Sequence, residues 1–235
     1  MKKIIPFLIA LMSCAPMMVH AGVSVSPVQL YILDKGRQKS TTLTLESVDE
    51  TEKRIFEVKS YIWTQDDNGK NVLTPDDSII INPKNFILQP KKQQTIRIGF
   101  RRPIASVLTN NQEGTWRIVV DEIPQPAKET SVNFLVNFSL PLFVGKQEPL
   151  DVKFKIENGH LRVVNNANSH VQITALKIVD ANKKEIFKSD AMSYILAKKS
   201  LLYDLNNIKL NASQNYYIQL SSDKTDKPVE FKLSN

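Results

Sequence analysis

Apolar and polar residues alternate along most of the chain, and this pattern predicts β-strands. A period of two is expected for a strand that buries one of its faces. Before residue 175 no amphipathic helical pattern interrupts these runs. The strand-like runs of this first part are residues 23–32, 41–45, 55–63, 79–81, 86–88, 95–98, 116–120 and 132–144.

A short polar segment, residues 145–149, separates these runs from a second series. The later runs are residues 152–156, 161–166, 171–179, 185–187, 200–205, 216–220 and 229–233. Turn residues divide both series at the spacing typical of β-sandwiches. The sequence therefore predicts an all-β protein with one sandwich domain at residues 22–145 and a second at 146–235.

The first residues differ from the rest and predict a secretory signal peptide at residues 1–21. Lys2 and Lys3 precede an apolar run, and small or compact residues at Val19 and Ala21 mark a cleavage site. The run is too short to favour a membrane-spanning helix, so we expect export without stable membrane insertion. Cys14 weakly resembles a lipidation site, and the alternative is that it leaves with the signal peptide.

Composition narrows the chemistry that the exported protein can carry. The chain has 235 residues, a net charge of +7 and one cysteine, which the predicted cleavage removes. A disulfide framework and a cysteine-rich metal site are then excluded. The basic residues are dispersed and lack interleaved aromatic residues, which argues against nucleic-acid binding.

No residue pattern predicts an active site, so we expect neither an enzyme nor a bound cofactor or metal. The sequence has no G-x-S-x-G motif and no glycine-rich phosphate loop. His160 and His170 have no further metal ligands at suitable spacing, and we predict that both lie on the surface. Asp66 to Gly69 predicts a hairpin turn. Asp121 and Glu122 are adjacent on a predicted strand and must point to opposite faces.

The most informative segment is residues 132–140, which has an unbroken apolar face. That face consists of Val132, Phe134, Val136, Phe138 and Leu140. An ordinary core strand would turn it inward. An edge strand would instead offer it to a partner, although proteins normally suppress long apolar edges because they promote aggregation.

The order of several short motifs resembles the periplasmic chaperones of the chaperone–usher pilus pathway. The similarity covers essentially the whole chain after the signal peptide and is closest to the archaic branch. The matching motifs are Ser26-Pro27-Val28-Gln29-Leu30, Trp63-Thr64-Gln65, Leu73-Thr74-Pro75, Asn82-Pro83, Gln94-Thr95-Ile96-Arg97-Ile98, Trp116-Arg117, Glu122-Ile123-Pro124 and Ser139-Leu140-Pro141-Leu142-Phe143-Val144.

The resemblance implies two immunoglobulin-like domains set at an angle in a boomerang. It also implies that residues 132–140 are lent as a strand to an incomplete pilin subunit, a mode of binding established for chaperone–pilin complexes. The partners would be pilin subunits and the outer-membrane usher, in the periplasm. The sequence leaves open whether the free chaperone caps its own strand as a dimer.

The family's usual anchor for the subunit's terminal carboxylate cannot be carried over to this sequence. Gln29 stands where many members have an arginine, and Pro141 stands where they have a lysine. A buried carboxylate still needs a cationic partner. Arg117 and Arg101 are the candidates that we predict for this role.

The resemblance also implies an ion bridge that fixes the two domains. In the family an arginine joins two acids across the interface, and the matching residues here are Arg97, Glu122 and Asp223.

Two alternative functions remain open at this point. One is a structural or adhesive subunit of a surface fibre, and the other is an exported hydrolase on a β-sandwich scaffold.

Overall fold

The computed structural model describes residues 22–33, 38–48, 52–126, 134–206, 208, 210–211 and 213–233. The predicted signal peptide, residues 1–21, and Val132 of the predicted edge strand lie outside these ranges. Within them, no helix is long and apolar enough to span a membrane.

In the described part of the first domain, ten strands form two facing sheets. One sheet has the order β1-β3-β8-β6, and the other has the order β2-β10-β9-β4-β5, with β7 also paired to β4. The strands are β1 (Val23–Ser26), β2 (Leu30–Ile32), β3 (Ser40–Ser47), β4 (Arg54–Gln65), β5 (Asn71–Pro75), β6 (Ile79–Asn82), β7 (Asn85–Leu88), β8 (Gln93–Phe100), β9 (Gly114–Glu122) and β10 (Asn137–Val144), with a 3-10 turn at Ile104–Ser106.

Alternating side chains explain why these strands pack as a sandwich. In β4, Phe56 and Val58 point inward and are fully buried, while their neighbours Glu57 and Lys59 form an ion pair on the other face. The chain changes sheets between β1 and β2, so that β2 runs parallel to β10. The two inner faces enclose one hydrophobic core.

Eight strands lie within the described residues of the second domain and surround a separate core. They are β11 (Val152–Glu157), β12 (His160–Asn165), β13 (Val171–Asp180), β14 (Glu185–Ser189), β15 (Ser193–Ile195), β16 (Ser200–Asp204), β17 (Tyr216–Ser222) and β18 (Val229–Leu233). One sheet has the order β11-β12-β16, and the other has the order β14-β13-β17-β18, with β15 paired to β13. The prediction of an all-β fold with two sandwich domains is confirmed.

Candidate functional site: an open strand edge beside the interdomain cleft

The two faces of β10 serve different parts of the molecule. Leu140, Leu142 and Val144 point into the core of the first domain, and Phe138 packs against the same core. On the opposite face, Phe143 is fully buried in a cluster that reaches the second domain. One strand therefore contributes to the domain core with its even-numbered residues and to the interdomain cleft with Phe143.

The first half of β10 has one open edge. On one side β10 pairs with β9 over its whole length, from Asn137 to Val144. On the other side β2 pairs with it only at Leu142, Phe143 and Val144. Among the described residues, no strand covers that side from Asn137 to Pro141. Apart from the Ser139 carbonyl oxygen, which accepts a hydrogen bond from Arg117, and Pro141, which has no amide hydrogen, the outward-facing backbone groups there are available to a further strand.

The residues before β10 extend this edge and are exposed. Phe134 is 84% exposed and Leu135 is 51% exposed, and Val136 is partly buried. The predicted apolar face therefore splits along its length. Phe134 is open to a partner, whereas Leu140 is only 5% exposed, inside the protein's own core. Leu140 is thus a correction to the predicted partner-facing set, because the sandwich core already occupies its side of the strand.

Glu122 lies at the end of the sheet where β10 begins. Its Oε2 atom accepts hydrogen bonds from Arg54 Nη1 at 2.9 Å and from the Val136 backbone amide at 3.0 Å. Asp121 points the other way and contacts Lys59. The prediction that these adjacent acids face opposite sides of the strand is confirmed.

The predicted bridge between Arg97, Glu122 and Asp223 is wrong, because the three residues occupy separate places. Arg97 lies on the sheet opposite Glu122 and donates a hydrogen bond to Ser40 Oγ at 3.0 Å. Glu122 pairs with Arg54 of its own domain. Asp223 bonds to residues of its own domain and takes part in the interdomain contact through His170. Matching by sequence could not resolve which end of β9 meets the second domain.

A buried cluster of Glu113, His170 and Asp223 joins the domains instead. The Glu113 carboxylate lies 2.8 Å from both the backbone nitrogen and Nδ1 of His170, and the His170 Nε2 atom lies 3.5 Å from Asp223 Oδ2. The His170 ring stacks on Phe143 with 3.4 Å between ring centroids. The prediction of a surface His170 is wrong, because residues from both domains enclose its ring.

The charge of Asp223 is held by this environment. Burial opposes ionisation, but the neighbouring His170 ring, the Gln172 backbone amide and Lys224 together lower the pKa of the Asp223 carboxyl below its ordinary value. The Gln172 amide donates to Asp223 Oδ1 at 2.7 Å. These hydrogen bonds and the nearby positive charge therefore favour the ionised form of the partly buried Asp223 carboxyl.

Arg117 lies in the cleft between the domains. Its guanidinium carbon is 3.8 Å from the centre of the Trp63 ring and 5.6 Å from the centre of the Tyr194 ring, which comes from the second domain. Burial lowers the pKa of the guanidinium, although a group with an ordinary value near 12.5 keeps its charge at neutral pH. In the described chain, no carboxylate lies within ion-pair distance of Arg117.

Gln29 crosses the same cleft in the position where related chaperones were expected to have an arginine. Its amide nitrogen donates to Tyr194 Oη at 2.7 Å and to Gln172 Oε1 at 2.9 Å. Tyr31 Oη donates a hydrogen bond to Gln29 Oε1 at 3.1 Å. Gln29 is thus a structural link between domains, while Arg117 supplies a positive charge to the cleft.

The second predicted anchor, Arg101, is not brought to this place. It follows β8 on the opposite sheet and is exposed. The structure therefore separates the two candidates. Arg117 is in the cleft beside the open strand, and Arg117 Nη1 donates to the carbonyl oxygen of Ser139 on β10 at 3.3 Å.

The turn between β4 and β5 docks against the second domain. Gln65 is buried, donates to the Tyr194 carbonyl at 2.8 Å and accepts from the Leu196 amide at 2.9 Å. Arg162 reaches back to the Asp67 carbonyl at 2.9 Å. The predicted hairpin turn at residues 66–69 is confirmed, and its docking function was not evident from the sequence.

The first domain matches a known protein family. Residues 23–147, more than half of the chain, match the model of the pili and flagellar-assembly chaperone family, PapD N-terminal domain. The chain belongs to this family. Membership favours an assembly chaperone over the fibre-subunit and hydrolase alternatives.

Solved structures similar to this chaperone share its two-domain fold. A chain of the CsuC–CsuE chaperone–tip adhesion subunit complex from the archaic Csu pili of Acinetobacter baumannii has 18% identity, a TM-score of 0.66, and coverage of 91% of this chain and 98% of that one. The SafB chaperone complex with SafA pilin from Salmonella enterica gives 11% identity, a TM-score of 0.63, and coverage of 90% and 96%. The Escherichia coli chaperone DraB has 16% identity and a TM-score of 0.60, and the match covers 91% of this chain and 97% of that one.

Comparison of the chaperone with curated protein sequences gave no match. Among its described residues, no group of three or more His, Cys, Asp or Glu is arranged to hold a metal ion.

Proposed function

We propose that this chaperone works in the periplasm, where it binds an incomplete pilin subunit by lending it the segment that leads into β10, and that it delivers the subunit to the outer-membrane usher. The observation that carries the proposal is the open edge of β10 from Asn137 to Pro141, continued by the exposed Phe134. The signal-peptide pattern of residues 1–21 supports export.

The open edge supplies the backbone part of the interaction. Unpaired amide and carbonyl groups along it can pair with a strand of the subunit, as in other cases of strand addition. The alternate side chains supply the specificity. Phe134 and Val136 are the residues that we expect to enter an apolar groove of the subunit, with the outer part of Phe138 and with Val132 preceding them. Each large side chain that is fully buried stabilises the complex by about 1.5–3 kcal/mol before ordering costs.

Arg117 is the residue that we propose for the subunit's terminal carboxylate. Its charge faces the cleft, its guanidinium carbon lies over the Trp63 ring, and the described chain offers it no acid within ion-pair distance. A guanidinium binds a carboxylate through two parallel hydrogen bonds. Because Arg117 also contacts Ser139 of β10, an anchored carboxylate would fix the register between the subunit and the lent strand.

The decisive experiment compares Phe134→Asp with Leu135→Asp. Each variant is produced in the periplasm with the pilin subunit encoded beside the chaperone, and the surviving subunit is quantified. A charge at Phe134 would enter an apolar groove unpaired, at a cost of several kcal/mol, so we expect loss of the subunit.

Leu135→Asp is the matched control, since Leu135 is the next exposed apolar residue and lies on the other side of the segment. We expect it to keep most of the subunit. Equal subunit levels with wild type and Phe134→Asp would contradict strand donation, and equal losses in both variants would contradict the assignment of the face.

A further inference from the structure

A single carboxylate oxygen connects three consecutive parts of the sheet at the start of β10. Glu122 ends β9, Arg54 begins β4, and Val136 immediately precedes β10. Both Arg54 Nη1 and the Val136 amide donate to Glu122 Oε2, at 2.9 and 3.0 Å. The Glu122 side chain is largely buried, so these bonds are shielded from water.

This contact ends the ladder between β9 and β10. The last pair of the ladder is Asn137 with Asp121. At the next position the Glu122 amide donates to the Val136 carbonyl at 3.0 Å. The Val136 amide, however, donates to the Glu122 side chain. The segment therefore leaves the sheet at Val136, and Phe134 and Leu135 become exposed directly beyond it.

We propose that Glu122 is a positioning residue for strand donation. Its carboxylate, held by Arg54, fixes the Val136 amide and so sets the point and the direction in which Phe134 is presented. This inference rests on the proposed function. It differs from the interdomain ion bridge that the sequence predicts for Glu122.

Pre-ordering the segment lowers the entropy lost when a subunit binds. A hydrogen bond to a charged acceptor is stronger than a neutral one. Glu122→Ala removes the acceptor of the Val136 amide, so we expect about tenfold weaker subunit binding. We also expect faster hydrogen exchange at the Val136 amide.

Glu122→Asp separates positioning from the ion pair. Aspartate keeps the negative charge for Arg54 but is shorter by one methylene, so it withdraws the carboxylate from Val136. We expect the same direction of change in binding and exchange. This variant also keeps the proposal testable if Glu122→Ala does not fold.

The experiment measures the dissociation constant of a pilin subunit that lacks its own N-terminal extension, with wild type, Glu122→Ala, Phe134→Ala and the double variant. If Glu122 acts through the placement of Phe134, the two losses are less than additive, whereas a general loss of stability leaves them additive. Glu57→Ala is the matched control, because Glu57 is an ion-paired acid at the same end of the sheet that pairs with Lys59. We expect it to bind like wild type.

Three outcomes are distinguishable. Weaker, non-additive binding with fast Val136 exchange supports the inference. Wild-type affinity in both Glu122→Ala and Glu122→Asp, or fully additive losses, overturns it while Phe134→Asp still abolishes binding. If Phe134→Asp also binds normally, the proposed function itself fails, and the positioning role fails with it.

Discussion

At the scale of single residues, Arg117 has surroundings that suit an anion. Aromatic faces and a backbone carbonyl surround the guanidinium, yet the described part of the chain provides no carboxylate to neutralise it. A partly desolvated cation of this kind gains most from a partner that brings its own negative charge. The cleft is therefore preorganised for a carboxylate.

Replacing Arg117 tests this directly. We expect Arg117→Ala to weaken subunit binding about tenfold to a hundredfold, as for loss of a hydrogen-bonded charge. Arg117→Lys would restore part of this loss, because lysine keeps the charge but not the planar pair of donors. The dissociation constant is the measurement.

The matched control for Arg117 is Arg101→Ala, since Arg101 is exposed on the other sheet. A second control is a subunit whose terminal carboxylate has been converted to an amide. With that subunit, Arg117→Ala should cause no further loss. A full loss with the amidated subunit would show that Arg117 acts on something other than the carboxylate.

The ionised Asp223 contributes to the free energy of unfolding, and this contribution decreases at acid pH. Because its pKa is lowered in the folded protein, the unfolded chain binds a proton more readily, and the contribution of Asp223 is present above the unfolded value of about 3.9. It is lost as the pH falls through the lower native value. We expect Asp223→Asn to melt at a lower temperature than wild type at pH 6, and we expect this difference to shrink as the pH falls below the ordinary value of an aspartate. A constant difference across this range would contradict the assignment.

At the scale of elements, most strands were predictable because their alternation is local. β10 appears in the sequence as apolar residues at every second position, from Phe138 to Val144. β5 was missed because all five of its residues are exposed, and β15 was missed because it has only three residues. The site was less predictable for a related reason. The burial of His170 depends on Glu113, which lies 57 positions away, and no local pattern carries that information.

The docked turn between β4 and β5 provides a test of the interface between elements. Gly69 has φ of +84°, and a Cβ atom there would lie 2.6 Å from Leu201 Cδ1 and 2.8 Å from the Ser200 carbonyl oxygen, both in the second domain. Gly69→Ala therefore adds a steric conflict to the backbone penalty of about 1–2 kcal/mol. We expect a larger fall in the free energy of unfolding than the backbone penalty alone, measured by urea denaturation.

Gly159→Ala is the control for this substitution. Gly159 has a similar φ of +77°, but nothing lies within 4 Å of its added Cβ atom. The difference between the two variants isolates the contact of the turn with the second domain. If both variants lose the same stability, the turn does not hold the domains together.

At the scale of the whole molecule, the domains share a buried interface although their cores are separate. Trp63, Phe143 and Leu196 are buried together across it, and the Glu113–His170–Asp223 cluster lies beside them. An apolar interface of this kind couples the unfolding of neighbouring domains. We expect a single transition for the wild-type protein in differential scanning calorimetry.

Phe143→Ala should uncouple the domains. It removes the ring that stacks on His170 and leaves a cavity at the interface, so we expect the transition to split into two. Leu142→Ala is the control, since Leu142 is equally buried but points into the first-domain core. It should lower the melting temperature without resolving two transitions. A single transition in Phe143→Ala would contradict coupling through this cluster.

The segment from Phe134 to Leu140 has an exposed start and a buried end, and this limits how its length can change over evolution. Inserting or deleting one residue between Phe134 and Leu140 would turn the presented side chains to the opposite side of the strand, while the buried end stayed fixed in the core. A change of two residues would restore the orientation and alter only the reach. Related sequences should therefore differ in this segment by even numbers of residues, and an odd change should be accompanied by a bulge.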